Sequence, residues 1–403
     1  MLSSYNVIPV LLGGDLNAYS VALSFKQKYG INSHVFTRYR CGATENSRFI
    51  TTHLCSGLCD YKVALPELLF FASKHKSARL ILIPCSDNYL PLMYTIRKAI
   101  EGIYHFCIPK EEDYLKLTDK ASFYEILIKN KINAPKTVAV SKNDDIDAAV
   151  SNMPFGVVIK PSSSTEYNKN VFEGMKKVYF ENNPSEAKRI IERIFASGYN
   201  ERVLIQEKLN AHSASYVLTT LSGNDGEVVR ASLGKVVLME RGDTSYGNYS
   251  AIITEPLDTV SLSLIKMLNK MKYCGIANFD IMREGNLSYV LELNARQGRS
   301  SDYLRAAGIS LAEYFLKTAV LKEKMISDFS YKEIFWHYSS DKLTLKYIDD
   351  ERDMGRILEL IKMGESYSPF ENCYEGLARR IYSFVHGIRR AKRLKTEYKR
   401  AWN

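Results

Sequence analysis

The sequence predicts an α/β leading domain, an α+β region after it, and a basic amphipathic helix at the C-terminal end. Three observations carry this prediction. Short apolar strands alternate with helical patterns over the first hundred residues. A strand-rich stretch then runs from about residue 156 to 293. Finally, the positive charge is gathered at one end of the chain. The 403 residues are 46% hydrophobic and 25% charged, which excludes wholesale disorder. At roughly 100–200 residues each, two to three domains are expected. We expect residues 1–115, 116–325 and 326–403, the second with a small lid-like part at about 137–209 and the third a helical extension with a basic tail. No apolar run approaches the roughly 18 residues of a membrane span. The first residues, MLSSYNVIPVLLGGD, lack a basic segment and a cleavage site, so no signal peptide is expected.

Taken in order, NVIPVLL at 6–12 reads as a buried strand. Gly13, Gly14 and Asp15 then turn the chain into a helix carrying Ala18, Val21, Ala22 and Phe25. HVFT at 34–37 and RLILI at 79–83 read as further strands of a parallel sheet, whose ligands sit at the carboxyl ends of its strands. The GGD turn is not GxGxxG, so a dinucleotide is not expected. TDKASFYEILIKN at 118–130 reads as a helix capped by Thr118 or Asp119. Strands follow at 156–161, 176–180 and 202–207, with a helix at 185–197 before the last of these. Antiparallel strands are expected at 216–221, 228–238 and 249–254, the first two joined by Gly223-Asn224-Asp225-Gly226. A helix at 258–273, strands at 276–283 and 287–293, and a helix at 310–323 complete the pattern.

The net charge is +10, and from Gly376 to Asn403 nine basic residues face one acid, Glu397, a net of +8. The preceding residues carry 46 basic and 44 acidic groups, a net of only +2. Apolar residues in the tail recur at 381, 384, 385, 388, 391, 394 and 398, close to helical spacing. The seven cysteines include no CxxC pair, so free thiols rather than zinc or disulfides are expected.

The chemistry concentrates in GIANFDIMREGNLSYVLELNARQGRSSDYLRAAG at 275–308. Two strands joined by Glu284-Gly285-Asn286 set Asp280 on one and Glu292 and Asn294 on the other. Glu292 and Asn294 are two apart and share a face. Carboxylates in apolar strands are costly unless used. Three oxygen donors suit Mg²⁺, which takes a few carboxylates or carbonyls together with phosphate oxygens. Arg296, two further on, suits a phosphoryl oxygen. Lys160 ends the strand GVVIK and is followed by Ser162, Ser163, Ser164 and Thr165, a run of donors for anionic oxygens. Lys120 opens a helix, where the dipole also favours anions. Together these residues read as a nucleotide–metal site.

The order Lys120, VVIKP, IQEKL at 205–209, Asp280 and ELNAR at 292–296 resembles the ATP-grasp enzymes. The resemblance spans most of 1–325. It implies a pre-ATP-grasp leading domain followed by the ATP-grasp fold. ELNARQGRSS is similar to the ExNPR segment of carbamoyl-phosphate synthetase-type members, with Ala295 in place of proline. VLLGGDLNAYSVA, TDKASFYE, IKPSSSTEYNKNVFEGMKKVY and LNARQGRSSDY resemble the D-aspartate ligase type of carboxylate–amine ligase.

The resemblance implies ATP and Mg²⁺ as cofactors. Lys120 and Lys160 would contact phosphates, and the loop of Ser162, Ser163 and Ser164 would close over them. Gln206, Glu207, Lys208 and Leu209 would form the hinge strand that holds adenine, partly through backbone groups. Asp280, Glu292 and Asn294 would bind Mg²⁺, and Arg296 would stabilise the transferred phosphoryl group. Asn210-Ala211-His212-Ser213 stands where the family often has a glycine and a ribose-binding acid. Gly14, Asp15, Asn17 and Asp87 line a substrate site or form structural turns. Arg299, Ser300 and Ser301 bind an acceptor or second carboxylate, or cap a helix.

The implied activity is amide formation through an acyl phosphate. It would join D-aspartate to the lysine side chain of an anionic peptidoglycan precursor in the cytoplasm. The alternatives are an ATP-grasp ligase for another amino acid or a dipeptide, and a non-catalytic binder of nucleic acid or membrane. The tail 376–403 is expected to touch anionic lipid at the inner face of the membrane, or to pack on the body as a solvated helix. No nucleic-acid partner is expected.

Overall fold

A computed structural model describes residues 6–154, 156–210, 214–242 and 247–400. Three sheets organise them. The first holds β1 (Val7–Leu12), β2 (Ser33–Thr37), β3 (Ile50–Leu54), β4 (Arg79–Pro84) and β5 (Tyr104–His105), all parallel, in the order β3-β2-β1-β4-β5. β1 is central, and residues on both of its faces are buried, as parallel sheets require. At its end Asp15 caps the helix Leu16–Tyr29, accepting from the amides of Asn17 and Ala18. Gly13 adopts φ +113°, and a side chain on Gly14 would meet Thr37 Oγ1 at 2.8 Å, so this turn admits little but glycine.

The second sheet is small and antiparallel. It comprises β6 (Thr137–Val140), β7 (Val157–Pro161), β8 (Tyr179–Glu181) and β9 (Val203–Glu207), in the order β6-β9-β7-β8. The helix Pro184–Ala196 covers it, and Ile159, Ile191, Ile194 and Ile205 form its own core.

The third sheet has seven strands: β10 (Ala214–Ser222), β11 (Val228–Met239), β12 (Tyr249–Glu255), β13 (Gly275–Glu284), β14 (Leu287–Asn294), β15 (Phe335–His337) and β16 (Ser366–Tyr367). Their order is β14-β13-β10-β11-β12-β15-β16. One core joins Leu11, Tyr19 and Phe25 near the first sheet to Val217, Ile252 and Trp336 of the third.

The structure departs from the sequence expectations in several places. β3, β5 and β6 were not expected; β3 reads ITTHL and is only partly buried. The helix expected at 118–130 is Lys120–Lys129, and a further helix, Glu111–Thr118, which was not expected, precedes it. They break at Asp119, whose side chain caps the second through Ser122 N. Residues 326–403 are not helical throughout, because β15 and β16 extend the third sheet.

In the last helix, Leu377–Arg400, the burial differs from the expected stripe. Arg379, Arg390, Leu394 and Tyr398 face inward, while Leu377, Ile381, Val385 and Ile388 are exposed. The inward arginines are satisfied in part by backbone and polar groups, while Arg379 Nε and Arg390 Nε and Nη1 meet no hydrogen-bond acceptor among the described residues. Arg379 donates to the carbonyls of Gly42, Ala43 and Glu45, and Arg390 to Ser250 Oγ at 2.6 Å. Among the described residues no helix is long and apolar enough to cross a membrane.

Candidate active site

β13 and β14 form an edge hairpin of the third sheet, with Asp280 opposite Glu292 and Asn278 opposite Asn294. Glu292 and Asn294 are two apart on the strand and so project from the same face. Asp280 and Glu292 are joined by a side-chain hydrogen bond. Tyr249 of β12 donates its hydroxyl to Asp280 Oδ1 at 2.8 Å. Lys120 stands at the first turn of its helix with Nζ 3.3 Å from Glu292 Oε2. Lys160, at the end of β7, adds a second cation from the small sheet.

The electrostatics follow from this crowding. Burial and the Glu292 charge push the Asp280 carboxyl well above the usual carboxylate range. Lys120, with help from Lys160, holds Glu292 below it. The two carboxyls therefore share a proton, as adjacent buried acids do. Burial and the Lys120 charge push the Lys160 ammonium down to about 7. Two acids that must share a proton fit a divalent cation, which takes the proton's place. Among the described residues no three His, Cys, Asp or Glu side chains form a group that could hold a metal ion by themselves. The donor set is thus two carboxylates and the Asn294 amide, which suits Mg²⁺ with phosphate oxygens completing its shell.

Arg296 follows on the loop after β14. Its Nη2 lies 2.6 Å from Asp87 Oδ2, beyond the end of β4, and its Nη1 donates to Gln297 O at 2.9 Å. Its Nε is buried and meets no acceptor among the described residues. Asn17 donates to Gln297 O at 2.7 Å, and Gln297 Nε2 to Pro84 O at 3.0 Å. The carboxyl ends of β1 and β4 are thereby clipped to the loop after β14. Asp15 is pushed upward by burial, against the pull of Arg296 and Arg299. Its carboxylate is used as a helix cap.

The structure thus brings Asp15, Asn17, Asp87 and Arg296 to one place, with Gly14 forming the turn beneath. Ser300 and Ser301 are buried at the start of the helix Asp302–Ala306; Ser301 Oγ has no partner among the described residues. Arg299 points elsewhere, to Glu240 and the ring of Tyr338.

The expected adenine strand needs correction at two side chains. Gln206 is buried and donates to Tyr124 Oη at 2.8 Å and Thr137 Oγ1 at 2.9 Å. Glu207 accepts from Lys136 N at 2.8 Å. Neither side chain is free for a base, which leaves the backbone around Lys208 and Leu209. Lys208 N donates to Gly156 O at 3.2 Å. The serine loop is also partly committed. Ser162 Oγ and Ser163 N meet Tyr199 Oη, and Ser163 Oγ accepts from Glu166 N, opening the short helix Ser164–Tyr167. Ala211, His212 and Ser213 lie outside the described residues. Sequence reasoning missed Tyr249, Tyr124 and Gln297; each is an ordinary polar residue whose partner is remote in the chain.

Residues 117–318 match the family described as the RimK-like ATP-grasp domain. A D-aspartate ligase of Enterococcus faecium (strain Aus0004) is 27% identical over 372 residues, 88% of each chain. The biotin carboxylase domain of the Hydrogenobacter thermophilus 2-oxoglutarate carboxylase, solved with MgADP and bicarbonate, superposes with TM-score 0.60 at 13% identity. That match covers 79% of this chain and 71% of the other. The L-amino acid ligase of Bacillus licheniformis superposes with TM-score 0.53 at 13% identity, covering 79% and 75%.

Proposed function

The chain belongs to the RimK-like ATP-grasp family, and from that premise we propose that it joins D-aspartate to an amine of a peptidoglycan precursor at the expense of ATP. One observation carries the chemistry: the carboxylates Asp280 and Glu292 of the third sheet stand against Lys120, with Lys160 approaching from the small sheet. The likeness to the D-aspartate ligase along 88% of both chains supports the substrate.

A carboxylate is a poor acyl donor at neutral pH. Its oxygen attacks the γ-phosphorus of ATP, the bond to the β–γ bridging oxygen breaks, and ADP departs. The acceptor nitrogen then attacks the acyl carbon, inorganic phosphate leaves with the C–O electron pair, and the nitrogen loses its proton. Each step needs in-line positioning and cations on the phosphoryl oxygens. Lys120 and Lys160 supply two of these, and Lys160 regains full charge as phosphate approaches. Arg296 offers its unpartnered Nε to the transferred group, with Asp87 fixing the guanidinium. Mg²⁺, held by Asp280, Glu292 and Asn294, would add charge neutralisation. Gly14, Asp15, Asn17, Ser300 and Ser301 border the amino-acid end. Ser162, Ser163 and Ser164 border the phosphates, and Lys208 and Leu209 hold the base through their backbone.

The substrate is tested by phosphate release with ATP and Mg²⁺ across a panel of D- and L-amino acids, with and without a UDP-linked muramyl peptide carrying lysine. D-Aspartate turnover that depends on the peptide is expected. Absence of amino-acid-dependent turnover across the panel overturns the proposal. ATP and such precursors are cytoplasmic, so we assign the protein there. Exposed Ile381, Val385 and Ile388 beside exposed Arg389, Lys392 and Lys395 support a peripheral contact of the last helix with an anionic membrane. Equal sedimentation with anionic and neutral vesicles overturns that contact.

A further inference from the structure

A second charged cluster lies away from the phosphate-binding wall. The carboxylate of Glu240, at the end of β11, is 1% exposed. Three guanidiniums meet it: Arg393 at 2.8 Å, Arg390 at 3.3 Å and Arg299 at 3.6 Å. One buried acid does not neutralise three cations, so this part of the structure carries excess positive charge among the described residues. Arg390 is nearly as buried as Glu240, and its Nε and Nη1 meet no acceptor among the described residues. Buried donors of this kind are expensive unless something accepts from them.

Arg390 lines a cavity of about 520 Å³. Its walls are largely apolar, from Tyr338, Leu343, Phe370 and Ile388, and two further cations, Lys342 and Lys346, line it with one acid, Glu371. Volume, apolar walls and a few placed charges are the usual composition of a small-molecule pocket. The Tyr338 ring connects it to the reacting end: Arg390 lies over that ring at 3.9 Å and Arg299 at 5.2 Å. Gly42 and Ala43 also line the cavity, and Thr44 beside them donates its Oγ1 to Gly14 O at 2.9 Å, next to Asp15.

We propose that this cavity is the acceptor site, and that it takes an anionic group of the amine-bearing substrate, a carboxylate or a phosphate, against Arg390, Lys342 and Lys346. This rests on the ligase reading above. The anion satisfies Arg390 and offsets the excess charge. The apolar walls cover the body of the substrate, and the path past Tyr338 and Arg299 leads its amine toward the acyl phosphate.

The test is equilibrium binding to the full chain without ATP. One probe is the UDP-linked muramyl peptide; the other is its stem peptide without nucleotide. The variants are R390Q, K342A/K346A and G387L. A Cβ at Gly387, which lines the cavity, meets nothing within 4 Å, so a side chain there starts into open space. Melting temperatures of the last two variants should match the wild type, because their changes are exposed or point into open space. At least about tenfold weaker binding is expected in all three variants. Weakening for both probes identifies the peptide carboxylate as the anchor; weakening for the nucleotide-linked probe alone identifies the pyrophosphate. Wild-type affinity in K342A/K346A and G387L overturns the proposal, as does failure of the wild type to bind either probe. Acyl-phosphate capture by hydroxylamine, with wild type, ATP and D-aspartate, decides the ligase reading separately because it needs no acceptor.

Discussion

The wall around Asp280 and Glu292 and the cluster around Glu240 both bury charge, but they balance it differently. The first sets two carboxylates against two lysines. The second sets one carboxylate against three arginines. Balance lets the first pair share a proton until a cation arrives. Imbalance leaves the second short of an anion. A buried charge cluster is thus read by its balance: the first is neutral as it stands, and the second is short of negative charge.

The largest test of the comparison is E292Q. It removes a charge on which both Lys120 and a metal depend, and turnover should fall on the order of 10³-fold. Circular dichroism and melting should stay close to wild type. Residual turnover within about tenfold of wild type would break the assignment of the first wall. Next in size is E240Q, which leaves three guanidiniums without their carboxylate. A loss of about 3–5 kcal/mol in denaturant-derived stability is expected. A cost no larger than that of a surface Glu→Gln would mean that Glu240 does not hold the arginines.

Y249F sharpens the first wall at a finer scale. It removes one hydrogen bond to Asp280 and should slow turnover by roughly tenfold at most. The smallest effect belongs to a third cluster, whose charge can be switched. His34 Nδ1 and His53 Nε2 are 2.9 Å apart and His75 packs alongside. Burial, with His53 and His75, pushes His34 down to about 4. The unfolded chain takes up this proton near 6.5 while the folded chain resists to about 4. Stability is therefore full above pH 6.5 and falls as the pH drops through that window. Melts at pH 7 and pH 5 should show the drop, and H34F should reduce it.

The first wall was legible because strand alternation sets Glu292 and Asn294 on one face within three residues, and a tight turn returns the chain to Asp280. The glycine turn after β1 and the helix start at Lys120 were legible for the same local reasons. The second cluster was not. Glu240, Arg299, Tyr338 and Arg390 come from four segments that meet only in the folded chain. The helical spacing of the tail showed an amphipathic helix but not that Arg379 and Arg390 face inward, where the carbonyls after Cys41 and the Ser250–Glu240 pair accept from them. The side chains of Gln206 and Glu207 were misread for a related reason. Their partners, Tyr124, Thr137 and Lys136, lie some 70 to 80 residues away.

Tyr124 has a mechanical consequence. It receives the Gln206 amide from the small sheet and donates its own hydroxyl to Leu291 O at 2.8 Å, the residue before Glu292. Strand β9 and the metal strand are therefore riveted through one phenol. The phenol acts as a tie bolt: β9 cannot shift against β14 without breaking one of these two hydrogen bonds, so the small sheet that carries Lys160 is anchored beside Glu292.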